Sequence, residues 1–304
     1  MVIVVLNWNG KKNTIECLMS LKNVDYPRFE IIVVDNASTD GSQISVKETF
    51  PDITLIESRE NMGFGPGLNA GLRKAKTRAP DYVLCMNNDV IVDKDFLKEM
   101  VKVGEMGAKI GGLAPMEYVH DDPDRINYAG GIMRPFGDKI FGHGKIDRGQ
   151  FSLIRGISLL SGPAMMIKTD ALLNTGLFDE RFFYGPEDRD IALRLRKSGY
   201  FIAFAPAAKI WHKRRGATNG VYSPLTVYFS IRNSLLFAKK HDNVFNLIMF
   251  AMYFSLSFYC RVMMFLFCGR IGHAKAALRG VLWHMSPELL PSDSQMVIIM
   301  TKNK

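Results

Sequence analysis

Short apolar runs alternate with amphipathic stretches through the first ninety residues. Val2–Leu6 reads as a strand and empties into the polar loop Asn7-Trp8-Asn9-Gly10; Thr14–Leu21, with Ile15, Leu18 and Met19 at helical spacing, follows as a helix. Glu30–Val34 is a second apolar strand ending in Asp35-Asn36-Ala37-Ser38, after which Asp40 or Ser42 can cap a helix. Thr54–Glu57 is a short third strand, and a glycine-rich loop from Asn61 to Gly71 runs into a helix through Leu72. Tyr82–Met86 is a fourth strand that meets Asn87-Asn88-Asp89 and resumes as Val90-Ile91-Val92. Strand and helix repeated four times predict an α/β fold with a mainly parallel central sheet and right-handed crossovers. Polar residues then recur at the carboxyl ends of neighbouring strands, where open α/β sheets bind their ligands.

The pattern weakens from Ile110 to Gly156, which reads as irregular loops and short strands forming an acceptor-facing flap. Leu159–Ile167 is again apolar but broken by Gly162-Pro163; Asp190–Arg196 reads as a helix, and Phe201–Ala205 and Lys209–Trp211 as short extended pieces ending at His212. After about Gly220 the character changes. Ser223–Lys240 looks helical, Val244–Cys268 is rich in aromatics and Met, and Ile271–Met285 is basic and amphipathic. These shifts divide the chain into an α/β domain over 1–220 and a helical, basic C-terminal region over 221–304.

Composition narrows the class. With 304 residues and 47% hydrophobic content the chain can bury a large core. Its four cysteines form no Cys-x-x-Cys pair, which argues against zinc or a disulfide framework. Met1–Leu6 is too short for a signal peptide and lacks a basic flank. The net charge of +9 gathers toward the C-terminal side without an aromatic-interleaved platform, so the expected partners are a phosphorylated substrate and an anionic membrane surface, not nucleic acid. Val244–Cys268 is long enough to cross a bilayer, which takes about 20 apolar residues. Basic residues on both flanks and Arg261 within it favour in-plane or re-entrant helices on the cytoplasmic membrane face over a single crossing.

Several residues carry candidate chemistry. Asp89, flanked by the amides of Asn87 and Asn88, can hold a hard divalent cation against a phosphate. Asp35 at its strand end can accept from a base imide or from ribose hydroxyls, and Trp8 next to it can stack on a base. The glycines around Asn61 and Asn69 match neither the P-loop nor the dinucleotide pattern; they allow close approach to a ligand and equally a tight connection. Glu187-Asp188 opens a helix behind Phe182-Phe183-Tyr184-Gly185-Pro186. Acidic residues suit a helix start, but a carboxylate edged by aromatics also suits a general base. His212 is followed by Lys213, Arg214 and Arg215, as expected where a diphosphate is handled.

In this order the pieces resemble glycosyltransferase family 2. The matching stretches are Val4–Gly10, Val33–Ser38, Asn61–Gly65, Met86–Val90, Gly176–Phe183, Glu187–Asp190 with Leu193-Arg194 and Gly199-Tyr200, and Trp211-His212, covering Met1 to about Thr218. Tyr228–Phe237, with Arg232-Asn233, is similar to the tail of the rhamnosyltransferase-like branch. The resemblance implies a GT-A fold, Rossmann-like, with a nucleotide-binding half and an acceptor-binding half. It implies inverting transfer of a sugar from a UDP- or dTDP-linked donor to a hydroxyl of a glycan or polyprenyl-linked saccharide. Asn7, Trp8, Asp35, Asn61, Asn69, Asn87, Asn88 and Arg215 would then bind the nucleotide sugar, and Asp89 with His212 would bind Mg²⁺ or Mn²⁺. Asp188 would be the catalytic base, with Glu187 as runner-up. Asn87 departs from the family's D-x-D element, whose first position is aspartate, and this concentrates metal binding on Asp89. Two other classes share the fold: a sugar-phosphate nucleotidyltransferase, for which only Lys11-Lys12 offers a basic loop near the first strand, and a non-catalytic glycan-binding relative.

Overall fold

A computed structural model describes residues 1–134, 137–213 and 223–301. The described residues form two compact units: 1–180 with 187–213, and 181–186 with the residues from 223 onward.

The strands of the first unit are β1 (Val2–Asn7), β2 (Glu30–Asp35), β3 (Thr54–Glu57), β4 (Tyr82–Asn87), β5 (Val90–Val92), β6 (Ile110–Val119), β7 (Asp122–Tyr128), β8 (Gly131–Ile132), β9 (Lys139–Ile140), β10 (Arg155–Ile157), β11 (Ala164–Lys168) and β12 (Phe201–His212). Its helices are α1 (Lys11–Lys22), α2 (Ser42–Thr49), α3 (Phe64–Lys76), α4 (Phe96–Gly104), α5 (Thr169–Thr175) and α6 (Glu187–Lys197). The main sheet runs in the order β10-β12-β6-β11-β4-β1-β2-β3. β3, β2, β1 and β4 are parallel to one another, as are β6 and β12, while β11 joins the two blocks antiparallel. This is the mainly parallel α/β architecture that the strand–helix alternation predicts. Because both sheet faces are covered, the core divides into two layers, one under α3 and α6 and one under α1 and α4.

Three local expectations are corrected. Ile110–Val119, expected to be irregular, is a central strand, its eight interior residues buried. Gly111, Gly112 and Pro115 erase its pattern, and Pro115 sits where the β6–β12 register shifts, which tolerates its missing donor. The two pieces expected after Gly199 are one strand, β12, interrupted by that same irregularity between Ala205 and Lys209. The glycine-rich stretch is largely helix, since α3 begins at Phe64. Gly67 and Gly71 face β1 so closely that a Cβ would stand 2.6 Å from Leu6 at Gly67 and collide with Val4 at Gly71. These two glycines bring helix against sheet; they do not cradle a ligand.

The second unit is helical: α7 (Pro224–His241), α8 (Val244–Phe267), α9 (Ile271–Leu282) and α10 (Asp293–Thr301). Ser223 caps α7 and Pro224 occupies its first turn. Arg232, only 2% exposed, is the hub of this unit. Its guanidinium bonds both carboxylate oxygens of Asp293 at 2.8 Å, donates to the Arg181 carbonyl at 2.7 Å, and lies 4.2 Å from the Trp283 ring. Asn233 donates to the Tyr184 carbonyl at 2.7 Å, and Phe183 stacks on Phe229. The segment 181–186 is thereby held by α7. Within α8 only Phe265 is buried, and Phe245, Met252, Tyr253, Leu256 and Tyr259 are all exposed.

Candidate active site

Register places the predicted polar residues side by side. Asn7 pairs with Asp35 across β1–β2, and Leu6 pairs with Asn87 across β1–β4. Parallel strands bring their carboxyl ends to one edge, and the side chains there bond in a row. Asn88 donates to Asn7 Oδ1 at 2.7 Å and to Thr14 Oγ1 at 2.9 Å; Asn7 Nδ2 donates to Asp35 Oδ2 at 2.6 Å and to Ser38 Oγ at 3.1 Å. Asp35 Oδ1 accepts from the Ser38 backbone and from Gln43 Nε2, each at 2.8 Å. A Cβ at Gly10 would collide with the Asn88 amide, so a side chain there would displace Asn88 from its bonds to Asn7 and Thr14. Asn7 and Asp35 are each 1% exposed. Their bonds are already made, and the row ties three strand ends together.

The remaining candidates for the nucleotide sugar divide. Asn69 spends its side chain on both backbone groups of Phe178, at 2.9 and 3.0 Å, and on Glu180, bracing α3 against the chain before α6. Asn61 Oδ1 accepts from the Gly63 backbone and from Asn36, which shapes the turn into α3. Trp8 is half-buried. The Asn87 side chain makes no hydrogen bond among the described residues, while its backbone N–H donates to the Pro163 carbonyl at 2.9 Å. Arg214 and Arg215 lie outside the described residues; Lys213 is tied to Glu16 on α1.

A second cluster is different in kind. Asp89, in the turn between β4 and β5, is 5% exposed, and its Oδ1 has no hydrogen-bond partner. His212 Nε2 approaches that oxygen to 3.2 Å without hydrogen-bond alignment. His212 closes β12, and its Nδ1 lies 2.9 Å from Oε1 of Glu117 on β6. Burial disfavours charge on the imidazole, but the carboxylates of Asp89 and Glu117 outweigh this and raise its pKa well above the ordinary histidine value. Burial likewise pushes the Glu117 carboxyl up, and its bonds from His212, Ser161 and Asn127 overcome this to hold it below the usual range. Among the described residues no three His, Cys, Asp or Glu side chains form a ready metal cage. An orphaned buried carboxylate oxygen beside an imidazole whose other nitrogen is held by a carboxylate nevertheless suits a divalent cation that takes its remaining ligands from a substrate phosphate.

Asp188 stands in the first turn of α6. It accepts from the Arg189 backbone at 2.7 Å, and Gly162, in the turn before β11, lies against it, so that a Cβ there would be 3.4 Å from Oδ2. Burial, helped by the nearby Asp138 carboxylate, raises the Asp188 carboxyl to about 6. Glu187 is 3% exposed and packs toward Gly65 of α3, whereas Asp188 is only half-buried. Accessibility therefore favours Asp188 of the pair. Arg194, one turn beyond Asp190 on α6, bonds Asp190 and the carbonyls of Thr175, Gly176 and Leu177, which explains why the Gly176–Phe178 stretch and the α6 residues belong together.

Sequence reasoning passes over Glu117, Ser161 and Thr14. Glu117 lies in a strand whose pattern is erased, and the turn around Ser161 reads only as a break before Gly162-Pro163.

The chain and its fold are similar to those of known proteins. The chain is 23% identical over 242 residues to the N-acetylglucosaminyl-diphospho-decaprenol L-rhamnosyltransferase of Mycobacterium tuberculosis, covering 71% of this chain and 76% of that one. Its fold is shared with GalNAc-T7, solved with UDP, GalNAc and Mn²⁺, at a TM-score of 0.60 and 16% identity, covering 76% of this chain and 46% of that one. The mannosyltransferase PcManGT of Pyrobaculum calidifontis, in complex with GDP-Man and Mn²⁺, aligns at a TM-score of 0.54 and 17% identity over 93% of this chain and 86% of that one. The profile of the glycosyltransferase-like family 2 matches residues 1–228, taking in the whole parallel block, the Asp89–His212 pair and α6. With three quarters of its length matched, the chain belongs to the glycosyltransferase-like family 2.

Proposed function

We propose that this enzyme moves a sugar from a nucleoside diphosphate donor, UDP- or dTDP-linked, to a hydroxyl of a glycan or polyprenyl-linked saccharide, with inversion. The observation that carries the reading is the orphaned Asp89 Oδ1 beside His212 Nε2 at 3.2 Å. Asp89 and His212 would hold Mg²⁺ or Mn²⁺, and such an ion, when bound, offsets negative charge on a departing diphosphate. Asp188 is the base. With its carboxyl raised to about 6 it is ionised at neutral pH yet basic enough to take the proton from an acceptor hydroxyl. Asn87, with its side chain uncommitted, and Trp8 at the adjacent strand end line the donor, while Asp35 and Asn7 hold the floor beneath it. A nucleotidyltransferase reading has no use for a base at Asp188, and family membership favours glycosyl transfer over it.

The second unit docks on a membrane through α8, whose exposed apolar surface runs over 24 residues, about 36 Å at 1.5 Å per residue. Lys239 and Lys240 before α8, and Arg270, Lys275 and Arg279 after it, match an anionic headgroup layer on the cytoplasmic side. The acceptor of the mycobacterial relative, as its name states, is lipid-linked, which agrees with this placement.

Incubating the full chain with a panel of nucleoside diphosphate sugars and Mn²⁺, and scoring nucleoside diphosphate release, tests the assignment. One donor is expected to turn over, and excess EDTA to stop it. Full turnover in EDTA would remove the cation from the account.

A further inference from the structure

Glu117 is a buried carboxylate in contact with His212 that the proposed chemistry does not use. It is 1% exposed, near the end of β6, and three donors converge on it. His212 Nδ1 lies 2.9 Å from Oε1, Asn127 Nδ2 from β7 bonds the same oxygen, and Ser161 Oγ donates to Oε2 at 2.6 Å. Only an ionised carboxylate accepts from all three without offering a proton of its own. A buried charge is costly to keep unless such partners are all present. The arrangement therefore depends on three separate segments arriving together.

Two of those segments lead to the chemistry. Bonding at Nδ1 leaves Nε2 of His212 facing Asp89, since the partner of one ring nitrogen fixes what the other can do. Ser161 begins the turn Ser161-Gly162-Pro163. Gly162 of that turn lies against Asp188, and the Pro163 carbonyl accepts from the backbone of Asn87, the first residue of the Asn87-Asn88-Asp89 triplet. We propose that Glu117 is a positioning residue for both halves of the site, fixing the His212 imidazole through Oε1 and the turn beneath Asp188 through Oε2. The inference rests on the roles given above to Asp89, His212 and Asp188. It adds that one carboxylate, touching neither sugar nor diphosphate, sets the register between cation and base.

The test uses the full chain and two variants. Glu117→Gln keeps the shape but replaces one acceptor oxygen by a donor amide that opposes the incoming N–H and O–H groups. Its affinity for Mn²⁺ alone, read from the electron paramagnetic resonance of free Mn²⁺, is expected to fall about 10–100-fold, as outer-shell losses do. Ser161→Ala cuts only the arm toward Asp188. It is expected to leave Mn²⁺ affinity unchanged while lowering kcat and shifting the acid limb of the pH–rate profile. A folded Glu117→Gln that binds Mn²⁺ as tightly as the parent overturns the proposal. So does a Ser161→Ala enzyme with unaltered kcat and pH profile. Nitrogen-15 histidine spectra of the unmodified protein, with His212 assigned through His212→Ala, provide an arm that needs no Glu117 variant to fold. A proton on Nδ1 both without metal and with Mg²⁺ supports the inference, and a bare Nδ1 in either state overturns it. If the parent binds no Mn²⁺ at all, the cation assignment fails, and the spectra still decide whether Glu117 holds the ring.

Discussion

Two sets of polar residues meet at the same sheet edge and are built on opposite terms. In the row Asn88–Asn7–Asp35, side-chain groups are answered by neighbours: amide to carbonyl oxygen, amide to carboxylate, carboxylate to backbone N–H. In the Asp89–His212–Asp188 set, polarity is left over. Asp89 Oδ1 has no aligned hydrogen bond, the Asp188 carboxyl is raised, and the histidine is hydrogen-bonded through Nδ1 to Glu117 while Nε2 only approaches Asp89 at 3.2 Å. A satisfied buried network rigidifies, and an incompletely satisfied one costs stability unless a ligand completes it. The comparison teaches that residue type and strand-end position do not separate a satisfied network from an open one; the hydrogen-bond partners do.

The largest effect that could break this contrast is loss of the open carboxylate. Asp89→Ala is expected to abolish turnover and Mn²⁺ binding while circular dichroism stays close to the parent, with thermal stability lowered by loss of the His212 ion pair but the fold intact, because no hydrogen bond to Oδ1 is lost. A variant that unfolds instead would make Asp89 part of the scaffold.

The next effect is in pH. As the proposed base, Asp188 would work only when ionised, so kcat is expected to fall about tenfold per pH unit below about 6 and to level above it. The sign for stability is opposite. A carboxyl raised in the folded state binds its proton more tightly there than in the unfolded chain, so this group favours folding at low pH and that contribution is lost as pH rises through about 6. Asp188→Asn, permanently neutral, should therefore unfold at a higher temperature than the parent at pH 8, and an unchanged or lower midpoint would count against burial as the cause of the shift.

On the scaffold side the expected change is in stability rather than chemistry. Asn69→Ala strands the backbone groups of Phe178 and should cost about 1–3 kcal/mol in denaturant unfolding, with nucleoside diphosphate affinity per folded molecule unchanged. Weakened nucleotide binding in a stable Asn69→Ala protein would return Asn69 to the donor site. Deleting residues 244–304 sharpens the contrast between the two units: sedimentation with anionic vesicles should be lost, and binding that persists would move the membrane contact away from α8.

Much of this was legible in the chain. The parallel block follows from apolar runs of four to six residues separated by helical spacing, and Asn7, Asp35 and Asp89 fall at adjacent strand ends because the pattern fixes where each strand stops. What stayed hidden has physical causes. β6 is buried on both faces but carries Gly111, Gly112 and Pro115, so no periodicity marks it, and Glu117 is hidden with it. Asn61, Asn69 and Asn88 look like Asn87 in sequence; only partners far along the chain, such as Phe178 for Asn69, show which amides are spent. The glycines of α3 serve close packing on Leu6 and Val4, an inter-element fact that a linear pattern does not contain.

The central claim is that the open cluster, with Asp188 as its base, performs glycosyl transfer. Its most direct test is transfer by Asp188→Asn beside the parent, with the donor that the panel identifies, Mn²⁺ present and donor affinity measured in the same preparations. The account predicts unchanged donor affinity and a kcat lower by about 10²–10⁴, the usual worth of a general base. Normal turnover by Asp188→Asn, with Glu187→Gln inactive, would contradict it.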